Sequence, residues 1–198
     1  MAHGAEESAR ATDARGESPV GQVPDTVLEE LCDELLARGG RVWRIVTSDS
    51  MAPLLRTGDR ILVEPCAGRA RWGDVIVFRT PAGTMVHRVL GVRRGAASPR
   101  VIEKGDANPF GGAVDLTAVV GRVCRRDRQG NSVDLAHGWG RLIQVALATL
   151  SLAELGGLLA GQGVRRALRI DRPTGVATRA AGLLRTASSR VARLLGPE

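Results

Sequence analysis

The distribution of apolar and polar residues divides the 198-residue chain into four regions. Residues 1–23 are rich in small and charged side chains without periodicity, which predicts a disordered leader. Apolar residues recur at helical intervals within 24–40, and short β-branched runs separated by turn residues fill 41–137. In residues 138–198 the apolar spacing becomes helical again. We therefore expect a leader, one helix, a β domain and a helical extension.

The helix within residues 24–40 has recognisable ends. Thr26 and Glu29 have the spacing of a capping box, in which the two side chains satisfy free backbone N–H groups at a helix N-terminus. Apolar side chains then recur until Gly39, and glycine commonly ends helices. The pattern predicts an amphipathic helix of about 12 residues.

Short runs of β-branched and apolar residues predict six strands in the central region. The Pro81-Ala82-Gly83 turn joins two of them at hairpin distance, so these two are expected to be antiparallel neighbours. No helix-period segment interrupts the runs, which argues against a parallel α/β sheet. The sequence predicts a mainly β fold: a partly closed antiparallel β domain with one N-terminal helix and a C-terminal helical extension. The six runs are Arg41–Thr47, Arg60–Glu64, Asp74–Thr80, Thr84–Val92, Arg100–Lys104 and Val119–Cys124.

The helical extension contains two apolar patterns of different kinds. Leu142–Leu159 approaches the length of a membrane span, but Gln144 and Glu154 within it favour a helix that packs on the β domain or in a dimer interface. Residues 176–195 carry a Leu/Val stripe opposite an arginine-rich face. That pattern is typical of a helix at an anionic membrane surface, and equally of one docked on its own domain.

Charge and composition narrow the function classes. The formal net charge is +7, but of 28 basic residues only Lys104 is a lysine, so arginine replaces lysine throughout the chain. The basic pI is therefore a weak indication of nucleic-acid binding, and we expect none. The last 39 residues hold eight basic and two acidic side chains, which concentrates positive charge in the helical extension. Any mechanism that needs a lysine must use Lys104.

The cysteines do not form a recognisable framework. Cys32, Cys66 and Cys124 are odd in number and lack CxxC or Cys/His ligand spacing, so neither disulfides nor a zinc site is expected. The simplest interpretation is three partly buried free thiols in a reducing compartment. The polar, acidic N-terminus does not have the pattern of a signal peptide. No metal or cofactor is expected.

A series of ordered short motifs spans about residues 43–124. In this order and spacing the motifs resemble the type I signal peptidase and LexA-like serine peptidase superfamily. The similarity is strongest to its histidine-base branch, which includes the endoplasmic-reticulum and SipW-type signal peptidases. The resemblance implies a β domain of that type and a serine endopeptidase that cleaves after small residues. The motifs are VTSDSMAPLL (46–55), TGDRILV (57–63), GDVIVF (73–78), VHRV (86–89), KGDAN (104–108) and VGRV (120–123).

The nucleophile and the base follow from chemistry and resemblance together. A serine hydroxyl needs a neighbouring base to accept its proton, and Ser50 stands at a strand-to-turn break that can present its hydroxyl to a cleft. Of the three histidines, His3 lies in the leader and His137 in a connection, whereas His87 lies on a predicted core strand. A lone strand histidine is often structural. The resemblance implies that Ser50 is the nucleophile and His87 the general base, and that Lys104 belongs to a different motif.

The remaining site residues are assigned by the same resemblance. An acid should orient the base, and the candidates are Asp106 in the KGDAN motif and Asp115 slightly further along. Asp106 is narrowly favoured, and a structural turn role stays open for either. The Ser50 backbone N–H and the Ser48 hydroxyl are expected to bind the oxyanion. Asp49 stands where relatives have a small residue, so its carboxylate must point away from the oxyanion or weaken activity.

The sequence thus predicts a serine endopeptidase whose partner is a peptide or protein substrate. The segment ahead of Ser50 is a short charged helix, so we expect no N-terminal membrane anchor. We expect a cytoplasmic enzyme that rests on the inner membrane face through residues 142–195, with anionic lipid contacted by 176–195.

Two other functions were weighed. Asp49 and the displaced Asp115 favour a catalytically weak or inactive peptide-binding or regulatory module of the same fold. DNA-linked regulation of the LexA type is disfavoured, because the N-terminal 40 residues are net acidic and contain one helix, too little for a helix-turn-helix.

Overall fold

The computed structural model describes residues 25–95, 98–168 and 175–195. The predicted leader, residues 1–23, lies outside the described residues, as does His3. Side chains are described for all of these residues except 25–26, 161–168, 175–178 and 180–181.

A mixed-length antiparallel sheet of eight strands forms the body of the protein. Its order is β1-β2-β7-β3-β4-β5-β6, and β8 pairs with β7. In the described part of the chain the end strands β1 and β6 do not pair with each other, so the sheet is not closed. The strands are β1 (Val42–Ile45), β2 (Arg60–Glu64), β3 (Val75–Thr80), β4 (Gly83–Arg93), β5 (Arg100–Lys104), β6 (Gly111–Asp115), β7 (Val119–Arg128) and β8 (Asn131–Asp134).

Within the described residues three α-helices accompany the sheet: α1 (Asp25–Ala37), α2 (Gly138–Leu168) and α3 (Gly175–Arg193). A short 3₁₀ helix, Leu116–Ala118, precedes β7. The mainly β fold class with one N-terminal helix and C-terminal helices is confirmed. The capping box is wrong, because α1 begins at Asp25 and so includes Thr26 within the helix.

The predicted strands agree with the structure most closely at β2 and β5, whose bounds match. The β3–β4 hairpin is confirmed, since Thr80 pairs with Gly83 around the Pro81-Ala82 turn. Two strands were missed. The sequence of β6 begins Gly-Gly-Ala, and β8 begins Asn-Ser, so neither has the β-branched composition by which strands are recognised.

The sheet has a core on each face. The larger core combines strand residues with residues of all three helices, such as Leu36 of α1, Leu147 of α2 and Leu195 after α3. The smaller core lies on the other face and consists of Ile76, Phe78, Val89 and Val101 with partly buried neighbours. The three cysteines are free thiols, as expected, and burial raises the pKa of Cys66 and of Cys124. The two faces matter because adjacent residues of β4 and β5 point to different cores.

One helix segment among the described residues is long and apolar enough to cross a membrane. It is Gly138–Ala160 of α2, with a mean hydropathy of 1.7, and 33% of it is buried within the protein. Val191 of α3 and Leu195, which follows α3, pack into the larger core. Part of the predicted Leu/Val stripe of residues 176–195 therefore contacts the domain itself.

Candidate active site

Ser50 lies in the loop of residues 46–59 that connects β1 to β2, here called the serine loop. Its next residue, Met51, and the pair Leu54 and Leu55 are fully buried in the larger core. Ser50 itself is half-buried. The apolar side chains that follow the serine thus anchor the loop and leave the hydroxyl at the surface of a cleft.

Two arginines of β7 form hydrogen bonds with the serine loop. Arg126 donates to the carbonyl of Leu54 at 3.1 Å, and Arg128 donates to both carboxylate oxygens of Asp59 at 2.8 Å. Burial by itself would raise the pKa of Asp59. The hydrogen bonds from Arg128 and from the Arg56 backbone, with the arginine charges, hold that pKa below its usual value. An ionised Asp59 therefore fixes the base of the loop.

A turn after β5 meets the serine loop through backbone contact. The backbone N–H of Ala107 donates to the carbonyl of Ser50 at 2.9 Å. A Cβ on Gly105 would lie 2.6 Å from that same carbonyl oxygen, a separation that real Cβ atoms essentially never show. Glycine at 105 is thus required by the close approach of the two backbones. This explains the glycine of the KGDAN motif.

His87 lies on β4 and forms a buried pair with Glu103 of β5. The His87 Nδ1 atom lies 2.5 Å from Glu103 Oε2, and the ring packs edge-on against Phe78 at 5.8 Å between centroids. The imidazole is 5% exposed. Its other nitrogen, Nε2, is buried and has no hydrogen-bond partner within the described residues. A carboxylate at Nδ1 favours the tautomer that keeps the proton there, which leaves Nε2 as an acceptor.

Sheet register relates the strand of His87 to the turn that meets the serine loop. Arg88, the residue after His87, pairs with Lys104, and the residue after Lys104 is Gly105, which approaches the Ser50 carbonyl. No hydrogen bond joins Ser50 and His87 in the described part of the chain. The Ser50 Oγ atom lies 3.4 Å from Ser48 Oγ. The serine is thus linked to the turn after β5, and the histidine to Glu103 of β5, without a direct bond between them.

The carboxylate beside His87 is Glu103 and not Asp106, the acid that the motifs favoured. Both oxygens of Asp106 accept from Arg88, at 2.7 Å and 2.6 Å. Arg88 also donates to the side chain of Gln144 on α2. Because successive residues of a strand point to opposite faces, Arg88 and its partner lie on the helix side of the sheet, away from the His87 ring. Asp106 is a structural partner of Arg88.

Asp115, the second candidate acid, contacts Ser98 and Thr117 rather than His87. It caps the 3₁₀ helix, accepting from the Thr117 backbone at 3.0 Å, and it accepts from the Ser98 hydroxyl at 2.6 Å. The Ser98 hydrogen bond, with those from Thr117, lowers the pKa of Asp115 to about 2. Its contacts are those of the structural turn role that the sequence left open.

The pairing of His87 with Glu103 is not predicted by the motifs, because Glu103 lies just before the KGDAN motif and belongs to none of them. The two residues are diagonal neighbours on adjacent strands, since Glu103 pairs with Val89, which is two positions from His87 along β4. The signal was present in the alternation of the two strands. Both VHRV and VIEK place a titratable residue one position before a basic residue, which puts the two titratable residues on one face once the register is known.

Asp49 points away from the candidate site. Its carboxylate accepts from the backbone N–H of Thr57 at 2.9 Å and from the Thr57 hydroxyl at 3.1 Å, across the serine loop. The negative charge is therefore engaged with the far end of the loop. Ser48, the candidate oxyanion donor, is exposed and lies beside Ser50.

A cleft of about 160 Å³ adjoins Ser50. The outer edge of β1 has no strand partner within the described residues, and residues 83–87 of β4 likewise pair only with β3. Residues of both unpaired edges line the cleft. Its apolar lining consists of Ile45, Val46, Met51, Leu55, Ile61, Met85 and Val86, and its polar lining of Glu29, Arg44, Thr47, Ser48, Ser50 and Thr84.

The described residues contain no cluster of three or more His, Cys, Asp or Glu side chains arranged to hold a metal ion. Lys104 is fully buried on the helix side, where its Nζ donates to Glu154 at 3.0 Å. Its ammonium is thus engaged in an ion pair with α2, on the face of the sheet opposite His87.

Comparison with known proteins does not assign the chain to a family. Neither a scan against protein-family models nor a search of curated proteins finds a match. The resemblance to signal peptidases and LexA-like peptidases rests on the motifs alone.

Proposed function

We propose that this protein is a serine endopeptidase in which Ser50 is the nucleophile, His87 the general base and Glu103 the acid that orients the base. Proteins that use this chemistry place a hydroxyl, an imidazole and a carboxylate in series, with the carboxylate at the ring nitrogen remote from the serine. The proposal differs from the motif-based expectation only in the identity of the acid.

The observation that carries the proposal is the buried His87–Glu103 pair with a free Nε2, next to the turn that contacts the Ser50 carbonyl. A buried nitrogen without a partner is costly, and such groups in folded proteins call for an explanation. A serine hydroxyl that swings from Ser48 towards Nε2 supplies one. Catalytic hydrogen bonds are often long or absent before substrate binds.

In this mechanism His87 Nε2 accepts the proton of Ser50 as its oxygen attacks the substrate carbonyl carbon. The tetrahedral intermediate places its negative charge near the Ser50 backbone N–H and the Ser48 hydroxyl. The imidazolium then donates its proton to the leaving amine, and the C–N bond breaks to give an acyl-enzyme. Water, deprotonated by His87, then attacks the ester carbonyl carbon. The bond from that carbon to Ser50 Oγ breaks, and the imidazolium returns its proton to Oγ as the product acid leaves. Glu103 stabilises the imidazolium throughout.

The substrate is proposed to be an extended peptide. The unpaired edges of β1 and of the first half of β4 line the cleft beside Ser50, and an extended chain can add to such an edge through backbone hydrogen bonds. The small volume of the cleft supports a preference for small side chains next to the cleaved bond. This agrees with what the motif resemblance implies.

A second candidate function is a peptide-binding module that has the same cleft without turnover. It is favoured by the burial of the His87 ring and by the missing Ser50–His87 hydrogen bond in the described structure. The two functions share the substrate class and differ in the reactivity of Ser50.

The test is cleavage of an extended peptide with small residues flanking a central bond. Ser50→Ala should abolish cleavage, and His87→Ala should lower kcat/KM by roughly 10²–10⁴, because general-base assistance is lost. His137→Ala is the matched control, since His137 is an exposed histidine in the connection before α2. Equal rates for the wild type and Ser50→Ala would refute the peptidase proposal.

Labelling with a fluorophosphonate reagent separates the two candidates. A peptidase should be labelled at Ser50, and His87→Ala should slow the labelling. The binding module would give a different result: the wild type would never be labelled, and the wild type and Ser50→Ala would bind the peptide with the same affinity.

A further inference from the structure

The outer face of α2 is apolar along its described length. Trp139 is 62% exposed and Leu142 is 60% exposed, although both are large apolar side chains. Val145, Leu152 and Leu159 continue the exposed stripe at helical spacing. We call these five residues the α2 outer face. Contiguous exposed apolar patches of this kind mark interaction sites on proteins.

Charged residues within this stretch of α2 are directed away from that face. Arg141 donates to the carboxylate of Asp74 and to the carbonyl of Trp72. Glu154 is buried and accepts from Lys104. The α2 outer face therefore contains no charge. The exposed Thr149, one turn after Val145, donates its hydroxyl to the Val145 carbonyl at 2.9 Å.

The inner face of α2 is committed to the domain. Ile143 and Leu147 lie in the larger core, and Gln144 accepts from the fully buried Arg88. A helix crossing a bilayer would have to break these contacts and the Lys104–Glu154 pair. The helix is thus held along the surface of the domain, with its outer stripe available to a partner.

The adjoining helix α3 adds positive charge. Arg179 and Arg190 are exposed, as is Leu183 at 73%, and residues 175–195 contain four arginines and no acidic residue. Both helices bury side chains in the same core, so their outer faces point away from it together. An apolar stripe beside a basic one is complementary to the acyl chains and headgroups of an anionic membrane.

We propose that the outer faces of α2 and α3 form one docking surface for an anionic lipid bilayer. The α2 outer face inserts among the lipid chains, with Trp139 at the level of the headgroups, and the exposed Arg179 and Arg190 of α3 contact the anionic headgroups. Arg185 of α3 instead pairs with Glu154 of α2 at 2.7 Å. This surface differs from the Leu/Val stripe of residues 176–195, part of which packs into the domain. The proposal does not depend on the peptidase activity.

The test is flotation of the full-length chain with vesicles. Phosphatidylcholine vesicles containing about 30 mol % phosphatidylglycerol should bind the protein, and pure phosphatidylcholine vesicles should bind it far less, because headgroup charge supplies part of the attraction. Leu142→Glu combined with Leu152→Glu should weaken binding at least about tenfold, since two charges would enter the apolar layer. Arg179→Gln combined with Arg190→Gln should weaken it by about fivefold per arginine and reduce its salt dependence.

The matched control is Leu28→Glu with Leu31→Glu, because these exposed leucines lie on α1. The control should bind as the wild type does, and circular dichroism should show that each variant keeps its fold. Equal losses in the α1 and α2 variants would overturn the proposal. A wild type that binds neither vesicle type would also overturn it. So would a wild type that sediments as a dimer, if the α2 variant sediments as a monomer.

Discussion

Two buried polar pairs join β4 to β5 and to the turn after β5, one on each face of the sheet. On one face His87 of β4 meets Glu103 of β5, and Nε2 of the ring is left without a partner among the described residues. On the other face Arg88 of β4 binds Asp106 of the turn through two hydrogen bonds. Each member of the first pair is the chain neighbour of a fully buried basic residue, Arg88 or Lys104, on the opposite side. The first pair is thus incompletely bonded, whereas the second is fully bonded.

The different bonding of the two pairs indicates a structural role on the Arg88 face and an available hydrogen-bonding site on the His87 face. Arg88 uses its guanidinium on Asp106, on Gln144 and on the carbonyl of Gly73, so its charge is compensated within the fold. A buried ion pair of this kind fixes α2 and the turn after β5 to the sheet. The His87 side keeps a donor or acceptor site open, and an open site in a buried polar pair is expected where a substrate or nucleophile must bind.

The largest effect is expected on the fully bonded face. Arg88→Leu leaves Asp106 buried without its cation, and removal of one partner of a buried pair costs about 3–5 kcal/mol. The free energy of unfolding in urea should fall by that amount. Arg93→Leu, an exposed arginine further along β4, is the control and should change stability by less than about 0.5 kcal/mol. Similar losses of unfolding free energy in both variants would show that the Arg88–Asp106 pair does not stabilise the fold more than an exposed arginine does.

The next effect concerns the incompletely bonded face and is catalytic. Glu103→Gln keeps the shape of the side chain but removes the charge that stabilises a protonated His87. Peptide cleavage should fall on the order of 10²-fold, with the free energy of unfolding changed far less than in Arg88→Leu. The measurement is kcat/KM over a range of pH together with urea unfolding.

Asp115→Asn is the control for that substitution, because Asp115 is the other acid that the motifs allowed. It should leave kcat/KM unchanged, since its carboxylate bonds Ser98 and Thr117. A larger loss of activity in Asp115→Asn than in Glu103→Gln would give the role to Asp115, the second acid that the motifs allowed, rather than to Glu103.

Most of the fold could be predicted because the strands that form the core have a strong composition signal. RILVE and RVIEK match β2 and β5 residue for residue. Strand β6 could not be found in this way, because its Gly111 and Gly112 have little intrinsic preference for a strand. They are extended because β5 supplies the pairing, Glu103 with Gly112 and Lys104 with Gly111. Such strands depend on tertiary contacts rather than on their own sequence.

The residues of the candidate site could be named from the motifs, but their contacts could not. Ser50 and His87 are candidates from the sequence; in the structure Ser50 accepts a backbone hydrogen bond from the turn after β5, and His87 lies against Glu103. The carboxylate partner of His87 could not be predicted, because one position along a strand reverses the face of the sheet. Asp106 and Glu103 are three positions apart in the chain, yet one bonds Arg88 and the other bonds His87. Only the register of β4 against β5 distinguishes them.

The smallest effect is expected for Asp59 and Arg128, a fully bonded pair at the end of the serine loop. Like the Arg88–Asp106 pair, it should affect the stability of the fold and not activity. Hydrogen bonds and charge from Arg128 keep the pKa of Asp59 below its usual 3.8, so the ionised carboxylate stabilises the fold. That contribution is complete above pH 3.8 and is lost as the pH falls through the lower folded-state value.

Asp59→Asn should therefore be less stable than the wild type by on the order of 1 kcal/mol at neutral pH. The difference should shrink towards zero in strong acid, as followed by urea unfolding at several pH values. Asp127→Asn on the same strand as Arg128 should show a smaller difference, because Asp127 bonds one backbone N–H of its turn. A difference between the wild type and Asp59→Asn that grows on acidification would mean that Asp59 is not held as an ion in the folded protein.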